Sequence, residues 1–271
     1  MTFTNKILTL LVVFLTSFLH INSQEVNNQN TSTAYSVGKG KFEGEILKFP
    51  ADIDSTLNRM QSNYVVWKPS IIGEGDKLPL LIYLHGGGKV KKTVEKLKGG
   101  IHPVKYWQEQ TTELPFIIAA PHAQGPWDIN DLEQFFKHII KTQPVDLSRV
   151  YLCGYSMGGA GTWNWAQAHP EHFAAIVVMS GGLGAGGPKK ITQDIKKWQH
   201  NLKDMPTWII HGAEDTTVPA ERSILMHKGL VREGNVNVKL SILPDKAHAI
   251  TEYFKQMPEI YPWLLSFKNG N

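Results

Sequence analysis

The chain has 271 residues, 42% of them hydrophobic and 19% charged, with a formal net charge of +4. This composition excludes a disordered, collagen-like or fibrous protein, and the length suits one large α/β domain or two small ones with a sizeable core. Cys153 is the single cysteine, so an intramolecular disulfide scaffold is excluded.

Residues 1–23 read as a signal peptide. Lys6 and the amino terminus give a positive start, Ile7 to Ile21 form an apolar run, and polar Asn22-Ser23-Gln24 follow. The run is of signal-peptide length and short of the ~20 residues a membrane span needs. The expected address is secreted or periplasmic, with no membrane attachment after cleavage near Ser23 or Gln24. Residues 24–40 are rich in Asn, Gln, Ser and Thr without apolar periodicity, which predicts a disordered leader before a domain over 41–271.

From there the pattern is strand, loop, helix, repeated. Strands are predicted at Tyr64–Trp67, Leu78–Leu84, Phe116–Ala120, Val150–Cys153, Ala174–Met179, Thr207–Ile210 and Val236–Leu243. From Leu78 onward most are continuous apolar runs, as in a parallel sheet covered on both faces. Helices are predicted at Asp128–Lys141, Met157–His169, Ile191–Leu202, Pro219–Arg232 and Thr251–Phe267. This alternation predicts βαβ units with right-handed crossovers. The stretch Lys89–Lys98 holds five lysines and one glutamate. It could bind an anion, but reads first as a solvated loop or helix face.

The chemistry centres on Gly154-Tyr155-Ser156-Met157-Gly158-Gly159, between the apolar strand Val150–Cys153 and the helix that follows. That is the context of a nucleophile elbow. The sharp turn needs tiny residues two before and two after the serine, here Gly154 and Gly158. It leaves the Met157 N–H unpaired at a helix start, where the dipole favours negative charge. An oxyanion hole needs a second N–H, and the Gly86-Gly87-Gly88 loop after Leu78–Leu84 fits that place. The expected donors are therefore Met157, Gly86 and Gly87, with His85 orienting the loop.

A serine hydroxyl also needs a base, held in the right tautomer by a carboxylate. In strand–elbow–helix enzymes the chain order is Ser, acid, His. The loop after Thr207–Ile210 offers Glu214 and Asp215, and the loop after the last strand offers His248, with Asp245 as a minor carboxylate candidate. His211 competes as base but sits beside the acid. No H-E-x-x-H motif, cysteine pair or dinucleotide fingerprint is present, so no metal or cofactor is expected. No basic–aromatic pattern suggests nucleic-acid binding.

At several places the residues are recognisable. They are LHGGG at Leu84–Gly88, Ala119-Ala120-Pro121-His122, VDLSRVYLCGYSMGGAGTW at Val145–Trp163, HPEHFAAIVVMSGG at His169–Gly182, HGAEDTTVP at His211–Pro219 and the late His248. From about Leu78 to Leu265 the chain resembles secreted, cap-less α/β-hydrolases related to dienelactone hydrolases, polyhydroxybutyrate depolymerases and feruloyl or acetyl-xylan esterases. Within these it is similar to bacterial proteins described as peptidases or as phospholipase/carboxylesterase-like. The resemblance implies an α/β-hydrolase fold and a triad of Ser156, Asp215 and His248. Lys89–Lys98 departs from it, since in such relatives this segment is often acidic or arginine-containing.

About 27 residues join the strand ending at Met179 to the one starting at Thr207, too few for a cap domain. The site is thus expected to be open, and an open, exported site suits a small-molecule or polysaccharide-linked ester, with carbohydrate-linked acetyl or feruloyl esters favoured. Competing readings are a serine peptidase of prolyl-oligopeptidase type, for whose gating propeller the chain has no room, and a non-catalytic binding protein. Trp127, Trp163 and Trp165 could line a subsite, although Trp163 and Trp165 suit packing behind the nucleophile better. The oligomeric state stays open.

Overall fold

Chain entry is along a sheet edge. Strand β1 (Lys39–Lys48) pairs antiparallel with β2 (Asn63–Ile71), and the short helix α1 (Ala51–Asp54) lies between them. This comes from a computed structural model, which describes residues 35–110, 112–184, 187 and 189–270. The expected signal peptide lies outside the described residues, as does most of the expected leader. Lys39 and Gly40, expected within the leader, belong to β1, and Gly38 bridges to Leu114.

The remaining elements follow in order: β3 (Leu78–Leu84), α2 (Val94–Lys98), α3 (His102–Gln108), β4 (Ile117–Ala120), α4 (Ile129–Thr142), β5 (Val145–Tyr155) and α5 (Met157–Ala168). Then come β6 (Ala175–Met179), α6 (Ile195–Asn201), β7 (Thr207–Gly212), α7 (Glu221–Arg232), β8 (Val238–Leu243), α8 (Tyr253–Gln256) and α9 (Ile260–Leu265). The eight strands form one sheet in the order β1-β2-β4-β3-β5-β6-β7-β8. The pairs of β2 with β1 and with β4 are antiparallel, and every other pair is parallel. This is the α/β-hydrolase architecture.

Continuous apolar strands follow from covering both faces. Within β3, Leu78, Leu80, Ile82 and Leu84 pack on one side, against α4, α5, α6 and α7 through Leu132, Phe135, Trp163, Trp198 and Met226. Leu81 and Tyr83 pack on the other, against α2, α3, α8 and α9 through Leu97, Val104, Trp107, Phe254 and Leu264. Cys153 sits in this second layer, fully buried, and burial raises its thiol pKa well above the ordinary value.

Three expectations change. The helix expected over Thr251–Phe267 is two helices, because Met257 precedes Pro258 and leaves the helical region at φ −118° and ψ 70°. The helix expected from Ile191 starts at Ile195. Ile191 instead bridges Leu183, and the Thr192 N–H donates to the Leu183 carbonyl at 2.6 Å. The helix expected from Pro219 starts at Glu221. Between β6 and β7, α6 is the only helix among the described residues, and no cap domain is built there. No helix among the described residues is long and apolar enough to cross a membrane.

Candidate active site

Strand β5 delivers Ser156 at the carboxyl edge of the sheet. Its register against β3 pairs Leu84 with Gly154, so the loop after β3 meets the turn after β5. Ser156 adopts φ 57° and ψ −115°, a region side chains enter only when the surroundings hold them there. The surroundings are tight: a Cβ on Gly154 would overlap the Gly158 carbonyl, and one on Gly158 would overlap the Leu84 carbonyl. The Ser156 N–H donates to the Met179 carbonyl of β6 at 2.9 Å, which pins the turn from the other side.

His248 and Asp215 reach the same edge from the loops after β8 and β7. The Ser156 hydroxyl lies 2.7 Å from His248 Nε2, and His248 Nδ1 lies 2.7 Å from Asp215 Oδ2. A carboxylate only accepts, so Nδ1 carries the hydrogen and Nε2 faces the hydroxyl with a lone pair. Asp215 Oδ1 accepts from the N–H groups of Thr217 at 2.9 Å and Val218 at 2.8 Å. Burial alone would raise the Asp215 pKa, but the His248 hydrogen bond, the Val218 N–H and the two neighbouring imidazoles hold it below the ordinary carboxylate value. Glu214 and Asp245 are both exposed, and the structure brings neither to His248.

His211 is fully buried beside this chain. Its Nε2 faces the Val218 carbonyl at 2.8 Å and Asp215 Oδ2 at 3.1 Å, and its Nδ1 lies 2.6 Å from the Ser223 hydroxyl. A carbonyl only accepts, so Nε2 is the protonated nitrogen. Burial lowers the His211 pKa and favours the neutral ring. Its contact with the carboxylate was not legible in the sequence, where His211 read as a competitor for the base.

The Gly86 loop lies against the turn, with the Gly86 Cα side facing the Tyr155 ring and carbonyl. His85 holds it. Nε2 accepts from the Ala123 N–H at 3.0 Å, so Nδ1–H donates to the Gly86 carbonyl at 2.9 Å. Burial pushes the His85 pKa down to about 4, and the ring stays neutral near pH 7. The Trp127 indole N–H donates to the His85 carbonyl at 3.2 Å. Gly86 and Gly87 donate to no backbone carbonyl outside helices and strands among the described residues. Met157 opens α5, where no carbonyl one turn back exists to accept its N–H. The structure thus brings together Ser156, Asp215, His248 and the loop carrying Gly86 and Gly87.

One cavity opens at Ser156 and a second lies beyond the Gly86 loop. The first, of about 530 Å³, is lined by Ser156, Met157, Trp127, Asn164, Trp198 and Val218, among others. The second, of about 330 Å³, is lined by Gly86, Gly88 and Tyr155 together with lysines of the Lys89–Lys98 stretch. Trp163 and Trp165 are fully buried in the core.

Residues 128–259 match the dienelactone hydrolase family. This segment, just under half of the chain, is similar to a dienelactone hydrolase family domain. The protein is accordingly a hydrolase acting on esters. The segment spans α4 to the end of α8 and so contains Ser156, Asp215 and His248, while the Gly86 loop lies before it. Acyl-protein thioesterase 1 homolog 2 of Dictyostelium discoideum is 25% identical over 207 residues, covering 66% of this chain and 90% of that protein. Among solved structures, a thermostable esterase has a TM-score of 0.65 at 21% identity, covering 84% of this chain and 63% of the esterase. A ferulic acid esterase has a TM-score of 0.57 at 17% identity, covering 83% of this chain and 98% of that one.

Away from the triad, Glu133, His169 and His172 could each offer one metal-ligand atom within 4.8 Å of the others. The sequence offered no metal motif here. The Glu133 carboxylate is already engaged, accepting from the Trp165 indole at 2.7 Å and facing His172 Nε2 at 3.1 Å. Glu133 and His172 form a hydrogen-bonded cluster with the Trp165 indole, and His169 Nδ1 faces the Glu171 carboxylate.

Proposed function

We propose that the protein is an extracytoplasmic serine esterase in which Ser156 attacks, His248 is the base and Asp215 orients it. The observation that carries this is the unbroken chain from the Asp215 carboxylate through His248 to the Ser156 hydroxyl, with both links 2.7 Å long. Ser156 Oγ adds to the ester carbonyl while its proton passes to His248 Nε2. The oxygen that gains charge is held by the N–H groups of Met157 and of Gly86 or Gly87. The protonated His248 then gives its proton to the leaving alcohol. Water, activated by His248 in turn, cleaves the acyl-enzyme and restores Ser156. The carboxylate is suited to steady the imidazolium of each step.

The favoured substrate is an acetyl or feruloyl ester linked to a carbohydrate. The short β6–β7 connection and the open cavity beside Ser156 support a bulky, polymer-attached ester. The exported address expected from residues 1–23 supports an extracellular one.

The test is hydrolysis of p-nitrophenyl acetate and of the matching anilide by the purified protein, with Ser156→Ala as control. Ester turnover that disappears in the variant is expected. Ester turnover that persists in Ser156→Ala would overturn the triad, and anilide turnover above ester turnover would make the enzyme a peptidase. A panel of acetylated and feruloylated oligosaccharides then tests the substrate class.

A further inference from the structure

Within the Lys89–Lys98 stretch, Lys89 is half-buried while Lys92 and Lys96 are exposed at the rim of a cavity. Lys89, Lys92 and Lys96 line the 330 Å³ cavity whose other walls include Gly86, Gly88, Tyr155 and Thr251. Gly86 and Gly88 flank or belong to the loop assigned to the oxyanion, and Tyr155 immediately precedes Ser156. The Tyr155 ring lies 5.1 Å from that of His248. The cavity therefore borders the site through the Gly86 loop and Tyr155, although no triad residue lines it.

The charge inside it is unbalanced. Lys89 is half-buried, and its ammonium donates to the Lys96 carbonyl at 3.1 Å. Burial, and then the ammonium groups of Lys105, Lys92 and Lys96, lower its pKa. Among the described residues, none of these four lysines forms an ion pair with a carboxylate. Lys255 does, with Glu109 at 2.6 Å. Glu95, on the same segment, is exposed and turned to the Thr93 side chain, while Glu252 acts on His102 and on Tyr155, so one carboxylate stands against the four lysines at the cavity. Like charges gathered in a partly walled space repel one another, and an anion entering that space gains from all of them at once.

We propose that this cavity binds an anionic group (a carboxylate, sulfate or phosphate) carried by the ester substrate. The inference rests on the esterase reading and narrows it to esters with a negative charge near the scissile bond. The charge sits on the acyl or the alcohol part, and two substrate pairs separate these sources. p-Nitrophenyl hemisuccinate against p-nitrophenyl acetate places it on the acyl side. 4-Acetoxybenzoate against its methyl ester places it on the alcohol side.

In one pair the charged member is expected to have a kcat/KM about tenfold higher, carried by KM. That ratio is expected to fall toward one in Lys92→Ala/Lys96→Ala, and to fall with added salt. It is expected to persist in Lys91→Ala/Lys98→Ala, whose side chains belong to the same segment but do not line the cavity. A ratio of one or less in both pairs, or a ratio unmoved by the Lys92 and Lys96 changes, overturns the proposal. Absence of turnover on all four esters would instead sink the esterase reading. Calorimetry with Ser156→Ala then still tests the cavity. Tighter binding of one charged ester, weakened by the Lys92 and Lys96 changes, supports the proposal, and equal binding of charged and neutral members overturns it.

Discussion

His211 and His248 both face one and the same oxygen, Asp215 Oδ2, at 3.1 Å and 2.7 Å. His248 donates to it, while the Thr217 and Val218 N–H groups donate to Oδ1, and the His211 N–H is directed to the Val218 carbonyl. Asp215 therefore cannot turn without breaking several bonds, and His211 is a polar neighbour that shares its field with His248. Replacing His211 by Phe removes that neighbour. The Asp215 charge then acts more fully on His248, and the acid limb of the pH–rate profile is expected to move to higher pH. A merely structural His211 would leave that limb in place. Stability is expected to fall as well, by about 1–3 kcal/mol in urea titration, because the Val218 carbonyl and Ser223 hydroxyl lose their partner.

Ser156 combines function with strain. Ser156→Ala is expected to reduce ester turnover by at least about 10⁴-fold. Ser156→Gly is expected to be equally inactive but more stable, by roughly 1 kcal/mol, because glycine relieves the positive φ. Equal midpoints for the glycine and alanine variants in thermal unfolding would contradict this.

Gly86 permits a cleaner test of the oxyanion loop than most glycines do. Its φ of −77° is one that proline adopts. Gly86→Pro deletes the N–H, while Gly86→Ala keeps it and adds the same Cβ contact to Tyr155. The proline variant is expected to lose about 10²–10³-fold in kcat relative to the alanine variant. Similar rates for the two would assign the second donor to Gly87.

Acid sensitivity is expected well above the carboxylate range. His85 has a folded-state pKa of about 4, below the ordinary value of 6.5. Between those values the unfolded chain binds the proton and the folded one does not, so stability rises with pH across this window. The contribution is fully present above about pH 6.5 and is lost as pH falls toward 4. It amounts to about 3 kcal/mol. The depressed Asp215 pKa adds a further loss at lower pH, as the solution passes through its folded-state value. Urea midpoints at pH 5 and pH 7 check the first window. A wild-type curve as flat as that of His85→Gln would refute it.

The parallel strands were legible because burial on both faces leaves little but apolar residues. Leu78–Leu84 is buried at every position and has the bounds its composition predicts. β1 was not legible. It is an edge strand with Lys39, Lys41, Glu43, Glu45 and Lys48 along it, and only Phe42 within it is buried. Such charges protect an edge from pairing with other chains, and they erase the pattern by which strands are found. The elbow was written in Gly154 and Gly158, which the crowding at the turn requires. The loop itself leaves Glu214 and Asp215 open, because adjacent residues do not reveal which carboxylate points into the protein. The resemblance implied Asp215, and it is Asp215 that is buried against His248. The Lys89–Lys98 stretch shows the same limit. Its charge was evident, but its cavity depends on where the loop after β3 comes to rest.

Cys153 lies on β5, three residues before the nucleophile, paired in register with Tyr83 on β3 and Val177 on β6. No reagent can reach its sulfur until those strands part. The thiol is therefore shielded from reductants and oxidants while the protein is folded, and the chain carries its own clock for unfolding. The rate at which a thiol reagent labels Cys153 reads the opening of the central sheet, in the wild-type chain and without an added probe. A substrate or inhibitor that steadies the folded form should slow that clock.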